Sequence, residues 1–382
     1  MRAHRQPRIR AGCVPVRRGC EYDDVSAHRP DPIRWGLVGY GPGGRTFHAP
    51  LIAAAGGIDL CAVVTTDPER RAAVARDHPG AICVSSLADL PALGVTAVTI
   101  STPPATHVPL ALAAIDLGLH VVVDKPFALT AAEATAAGAA AQAAHVVLVP
   151  YQNRRWDGDF RTVTALTRAG RLGAVHRFES RLDRCRAVKP GWSSDVSAGG
   201  GLLLDLGPHL VDQALQLLGP VRTVHAWLDT VRDGAAAEDS VILDLAHDGG
   251  AHSTLVASLA APAPGPRFLV QGSRAGLRIE GFDGQEAQLK AGLSPAMPGI
   301  SWGVDDERSA RLFEADGGAV DLPLERGRWD TFYPAVASAI TDGTPPPVVT
   351  SDAVATARVI DAARASARTG RDVPLGGESS SG

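Results

Sequence analysis

The sequence predicts an α/β fold in two parts, a doubly wound parallel sheet followed by an α+β domain with a mostly antiparallel sheet. Three observations predict it. A glycine-rich turn lies between an apolar strand and a helix-compatible segment near residue 40. Short apolar runs then alternate with Ala/Leu-rich segments of helical length as far as Pro150. Beyond Tyr151, long strands follow one another without intervening helices. A chain of 382 residues is long enough for two domains, and 45% hydrophobic residues suffice for their cores.

Residues 1–32 hold Arg2, Arg5, Arg8, Arg10, Arg17, Arg18 and Arg29 and read as a disordered extension. The longest apolar piece there, around Ala11–Val16, is too short for a signal-peptide core. The first domain is expected over 33–150. Its opening strand (Ile33, Trp35, Leu37) leads into Gly39-Tyr40-Gly41-Pro42-Gly43-Gly44, a G-x-G-x-x-G turn. In a dinucleotide site Gly39 allows the tight turn, Gly41 lets backbone approach a pyrophosphate, and Gly44 lets helix and strand pack closely. Further strands are expected at Leu60–Thr65, Ala81–Val84, Ala97–Ser101, His120–Asp124 and His145–Val149. Pro109–Leu119 and Thr130–Ala144 are the clearest helices between them.

The second domain is expected over 151–375. It opens with a helix (Asp159–Ala169), a strand (Ala174–Leu182), a glycine-rich loop and a helix (Leu206–Leu218). Strands follow at Arg222–Arg232, Ser240–Ala246, His252–Leu259, Arg267–Gly272 and Gly276–Glu280. Two last helices, Trp329–Thr341 and Ser351–Ala367, are expected to return to the first domain. The tail GGESSSG (376–382) reads as disordered.

Net charge −4 and a pI near 6.3 argue against nucleic acid or an anionic membrane as a main partner. No apolar run reaches the ~20 residues that span a bilayer. Five cysteines, Cys13 and Cys20 among them, show no CxxC or His/Cys cluster. That points to a reducing, cytoplasmic setting and to no metal.

Cofactor choice is read at the end of the second strand, where an acid would bind a ribose 2′-OH. The expected acid position is Thr65, followed by Thr66; Asp67 is placed to cap the next helix with Pro68 in its first turn. Loss of the carboxylate removes repulsion of a 2′-phosphate, and Arg70 or Arg71 can pair with one. The sequence leans to NADP, with NAD as the alternative.

Three lysines stand against 34 arginines. Lys125, in Val123-Asp124-Lys125-Pro126 just past a parallel strand, sits where ligands bind, and an ammonium can change its protonation where a guanidinium cannot. Asp205, His209 and Asp212 share one face if the segment around Pro208 is helical, a carboxylate–imidazole arrangement suited to accepting a hydroxyl proton. A capping Asp and a satisfied core His would explain the same residues. Thr102, Pro103 and His107 lie in a loop that can flank a nicotinamide. Asn153, Arg154, Arg155 and Trp156 fall at the domain junction. Tyr333 is a further hydroxyl donor, with helix packing as its plainer role.

Together these residues resemble the glucose–fructose oxidoreductase/inositol dehydrogenase (Gfo/Idh/MocA) family. The likeness spans about Ile33 to Leu375 and rests on the glycine loop, TPPATH, the lysine–proline pair and GGGLLLDLGPHLVD in that order. The resemblance implies a Rossmann domain followed by an open-faced sheet that often forms dimers or tetramers. It implies Lys125, Asp205 and His209 as the catalytic group, with Asp205 supporting the imidazolium and Lys125 the substrate oxygen. It further implies Asp124 and Lys125 beside the cofactor, with Arg155, Trp192, Asp212 and Tyr333 available to a hydroxyl-rich substrate. The usual Glu before the lysine is Asp124 here, which keeps the charge. The stretches YQNRRWDGDF (151–160) and PRFLVQGSRAGLRIEGFDGQEAQL (266–289) resemble a subgroup containing NADP-dependent scyllo-inositol dehydrogenases. A polyol or sugar substrate is expected. Two rival readings are a non-catalytic nucleotide sensor and a glycosidase that recycles bound NAD.

Overall fold

The computed structural model describes residues 31–188, 195 and 198–375. The arginine-rich segment 1–30, the tail 376–382 and Trp192 lie outside them. From Pro32 onward the contacts define a single unit containing two sheets. Strands β1 (Ile33–Val38), β2 (Ile58–Val64), β3 (Ile82–Val84), β4 (Ala97–Ile100), β5 (His120–Val123) and β6 (Leu148–Pro150) form a sheet in the order β3-β2-β1-β4-β5-β6. Every pairing in it is parallel. The order reverses between β1 and β4, which leaves a crevice at their carboxyl ends.

Alternation along these strands divides the core in two. Trp35, Leu37, Val63, Val122 and Val149 pack on one face. Val38, Ala62, Ile100, Val121 and Val123 pack on the other. The covering helices are α1 (Ala49–Ala54), α2 (Pro68–Asp77), α3 (His107–Asp116) and α4 (Ala131–Ala143). Asp67 caps α2 by accepting from the N–H groups of Glu69 and Arg70, as its place before Pro68 suggests. After α4 the chain turns through His145 in a left-handed conformation, so β6 starts at Leu148 rather than at His145.

Helix α5 (Gly158–Arg168) leads into the second sheet. Its strands are β7 (Val175–Asp183), β8 (Val221–Asp229), β9 (Ser240–His247), β10 (His252–Ser258), β11 (Phe268–Gly272), β12 (Ala275–Ile279), β13 (Ser309–Glu314), β14 (Ala319–Pro323) and β15 (Val373–Pro374). Their order is β14-β13-β12-β11-β7-β10-β9-β8-β15. Only the central pair β7–β10 is parallel; the rest are antiparallel.

The single helix expected over Leu206–Leu218 is two, α6 (Leu202–Asp205) and α7 (Gly207–Leu218), broken at Leu206. Pro208 has no N–H to continue the ladder, so the helix restarts. Helix α8 (Gln285–Lys290) and the hairpin β13–β14 were not anticipated. In the hairpin only Ala310 and Leu312 are fully buried, too few apolar positions to mark a strand pair. Helix α9 (Phe332–Thr341) packs beneath the first sheet with Trp35 and Val122. Helix α10 (Thr350–Thr369) lies against α4 on one side and α7 and β8 on the other.

Arg155 joins three of these segments. Its Nε donates to Asp212 in α7 at 2.8 Å and its Nη2 to Asp352 in α10 at 2.8 Å. Removing one partner of such a buried pair strands the other charge. Arg155→Leu is expected to destabilise the fold by roughly 3–5 kcal/mol, read by urea denaturation; a loss below about 1 kcal/mol would show that Asp212 finds another partner.

Candidate active site

The glycines after β1 divide the work between shape and access. Gly39 has φ +95°, and a Cβ there would stand 2.3 Å from the Ser101 carbonyl oxygen. A Cβ on Gly44 would stand 2.1 Å from the carbonyl oxygen of Gly39, so these two are required by packing. A Cβ on Gly41 would meet only the Arg70 guanidinium, at 4.0 Å, and Gly41 faces the cavity. Tyr40 points away from it: its hydroxyl donates to Asp77 at 3.1 Å, which also binds Arg45 and so secures the loop to the end of α2. Burial and Asp77 push the Tyr40 phenol well above its usual range.

A cavity of about 390 Å³ runs from Gly41 and Gly43 past Thr102, Pro103, Asp124 and Lys125 to Asn153, Arg154, Asp205 and His209. The residues present fit a dinucleotide: the bare backbone of Gly41 opens on the cavity beside Arg70. Arg70 lines it, whereas Arg71 is tied to the carbonyls of Thr65 and Cys83 and to Ser85. Among the described residues Arg70 has only the exposed Asp67 carboxylate as an ion-pair partner, at 3.5 Å. Thr65 and Thr66 sit at the end of β2 outside the cavity wall.

Lys125 follows β5, and its ammonium donates to Asp205 Oδ1 at 2.6 Å and to the Asp205 carbonyl at 2.9 Å. Asp124 accepts from Ser101 Oγ at 2.9 Å and from the Lys125 N–H at 2.8 Å, with His48 Nε2 at 3.2 Å. Burial raises the Asp124 carboxyl, but His48, Lys125 and His107 outweigh it and hold it well below the usual range. His107 itself does not line the cavity. Its ring nitrogens lie 2.8 Å from the carbonyls of Pro126 and Thr102, which couples the two loops that do.

His209 is buried, and its Nδ1 has no partner among the described residues. Burial first, then the charges of Arg154, Lys125, Arg267 and Arg184, depress its imidazolium well below the usual range. At neutral pH it is an uncharged base. Arg154 closes this end, binding Asp157 at 3.0 Å and Glu286 at 2.9 Å.

Four of the expected site residues, Asp205, Arg155, Asp212 and Tyr333, have partners within the protein. The Asp205 carboxylate binds Lys125 and not His209, because the break at Leu206 leaves Asp205 on α6 and His209 on α7. Arg155 and Asp212 pair with each other, and neither lines the cavity. Tyr333 is wholly buried, its hydroxyl 2.6 Å from His48 Nδ1 and 3.1 Å from Thr99 Oγ1. Trp192 lies outside the described residues.

The geometry and the comparisons agree. Residues 33–152 match the family described as "Oxidoreductase family, NAD-binding Rossmann fold", and 160–278 match the "GFO/IDH/MocA C-terminal domain". The chain belongs to the Gfo/Idh/MocA oxidoreductase family. It is an NAD(P)-dependent oxidoreductase. The uncharacterized oxidoreductase YdgJ of Escherichia coli is 36% identical over 340 residues, 87% of this chain and 95% of that protein. IolW of Bacillus subtilis, a scyllo-inositol 2-dehydrogenase (NADP(+)), is 32% identical over 353 residues, 90% and 96% of the two chains. The solved structure of yvaA from Bacillus subtilis superposes with TM-score 0.86 at 32% identity, covering 91% of this chain and 99% of that one.

Among the described residues no helix is long and apolar enough to cross a membrane, and no cluster of His, Cys, Asp or Glu is arranged for a metal. Sequence reasoning passed over His48, Ser101, Arg184, Glu286 and Lys290. The scarcity of lysine that singled out Lys125 applied equally to Lys290.

Gly41 and Gly44 separate access from packing. Gly41→Val is expected to fold normally and to weaken NADPH binding by about tenfold or more through the blocked backbone approach. Gly44→Ala should lower the melting temperature as well. Fluorescence titration and thermal melts check both; equal behaviour of the two variants would contradict the division.

Proposed function

We propose that the protein oxidises a secondary alcohol of a cyclic polyol or sugar, with NADP as the preferred acceptor and NAD as the alternative. The observation that carries this is the Lys125–Asp205 pair, 2.6 Å apart, in the same cavity as the uncharged His209 and continuous with the glycine loop. His209 takes the hydroxyl proton; its depressed basicity keeps it free to do so at neutral pH. Lys125 donates to the substrate oxygen, and Asp205 holds the ammonium in place. Bound NADP supplies the hydride acceptor at its nicotinamide C4. Gly41, Gly43 and Arg70 would hold its phosphates, and Thr102, Pro103, Asp124, Asn153 and Arg154 its nicotinamide half. The activity of IolW, a scyllo-inositol 2-dehydrogenase that uses NADP(+), supports both an inositol-like substrate and NADP.

The outward face of the second sheet, where Trp227 is 45% exposed, supports a homodimer or homotetramer formed through that sheet. Size-exclusion chromatography tests it.

Lys125→Met and His209→Ala are expected to lower turnover by roughly 10²–10⁴ in a 340 nm assay over inositols, aldoses and sugar alcohols, with NADPH still bound. Near-normal turnover in either variant would remove its assigned role. Arg70→Ala should raise KM for NADP by about tenfold more than for NAD. Because burial holds His209 below its usual range, oxidation should keep its rate as the pH falls through the ordinary imidazole value of about 6.5; a fall in kcat/KM centred there or above would identify a different base.

A further inference from the structure

We infer that the substrate carries an anionic group, a carboxylate or a phosphate monoester, bound by Arg184 and Arg186 beyond the reacting carbinol. The inference rests on the dehydrogenase reading of the cavity and names the class of polyol or sugar it takes.

A second chamber of about 170 Å³ shares Arg184, Arg186, Asp205 and Leu206 with the main cavity. It therefore adjoins the Lys125–Asp205 pair. No glycine-loop residue lines it, and neither does Arg70. The cofactor phosphates thus have their own wall, on other elements.

Charge in this region does not balance. Asp205 is engaged by Lys125. Glu286 alone serves Arg154 at 2.9 Å, Arg184 at 3.4 Å and Lys290. Arg232, also in the chamber, is satisfied by Asp239 at 2.9 Å. Glu238 is a negative charge in the same lining, accepts from the Leu203 N–H at the start of α6, and forms no ion pair with Arg184 or Arg186 among the described residues. Arg184 has a long contact to a shared carboxylate and lies over the Phe282 ring, 5.3 Å from its centroid, and the Arg186 side chain has no ion-pair partner among the described residues.

The two side chains are placed to act together. Arg184 and Arg186 donate their N–H groups to the carbonyls of Ser258 and Leu259, so the chain beyond β7 remains extended. Residues two apart on extended backbone project from the same face. Burial first, and then Arg186 and Arg154 nearby, make the Arg184 guanidinium less basic than usual although Glu286 acts in the opposite direction. A neutral polyol would leave that crowding in place. A carboxylate or phosphate accepts from such guanidinium forks through two oxygens.

The test is calorimetric titration of the full chain saturated with NADPH, so that alcohol ligands bind without reacting. Two matched pairs are compared: methyl glucoside with methyl glucuronide, and myo-inositol with its 1-phosphate. In at least one pair the charged member should bind about tenfold tighter, the scale of one charge-assisted hydrogen bond. The advantage should shrink with added salt and be lost in Arg186→Gln. The pair showing it identifies carboxylate or phosphate as the group.

Equal or tighter binding of the neutral member in both pairs overturns the proposal. So does an Arg186→Gln variant that keeps the ratio, or one that instead weakens NADPH binding, which would assign the arginines to the cofactor. Turnover at 340 nm is read separately. A charge preference without turnover would fail the dehydrogenase reading and leave the anion subsite standing.

Discussion

The Lys125–Asp205 ion pair is the contact on which the functional arrangement depends. It joins the carboxyl end of β5 in the parallel sheet to the break between α6 and α7, 80 residues later. Two features of the chain make it available. The strand order reverses at β1 and β4, which leaves room at the strand ends. At the break before α7 the His209 N–H bonds the Leu206 carbonyl, which leaves the Asp205 carbonyl as a second acceptor for the same ammonium. The pair thereby fixes a flexible four-carbon side chain in one place without consuming the imidazole nearby.

Positive charge dominates the rest of the cavity, and it has a chemical consequence. Arg154, Arg184 and Arg267 surround His209 in a buried setting and keep it neutral. A neutral imidazole beside cations is disposed to accept a proton only as negative charge develops on a substrate oxygen. The same arginines are held by few acids: Arg154 by Asp157 and Glu286, and Arg267 by Asp159 at the longer distance of 3.8 Å.

Behind Asp124 a chain of buried polar groups runs through the first core. Trp35 Nε1 donates to Thr99 Oγ1, which meets the Tyr333 hydroxyl, which meets His48, which faces Asp124. Groups in such a network support one another in a low-dielectric interior. Through it α9, near the end of the chain, bears on the residue preceding Lys125. Its members are spread over β1, β4, α9 and the turn before α1, so no sequence window contains them.

Much of the architecture was legible because it is written in local patterns. The glycine spacing, the cap at Asp67, the alternation of apolar runs with Ala-rich segments and the lone lysine after β5 each follow from short-range sterics and periodicity. What could not be read were pairings across the chain. A side chain's partner depends on which segments the fold brings together: Asp205 with Lys125 rather than His209, Arg155 with Asp212 and Asp352, and Tyr333 with His48 and Thr99. Residue types by themselves determined the chemistry available to this protein, an ammonium, an imidazole and carboxylates after a dinucleotide loop. Only tertiary structure decided which of them meet, because burial and hydrogen bonding act over ångströms in space and not along the chain.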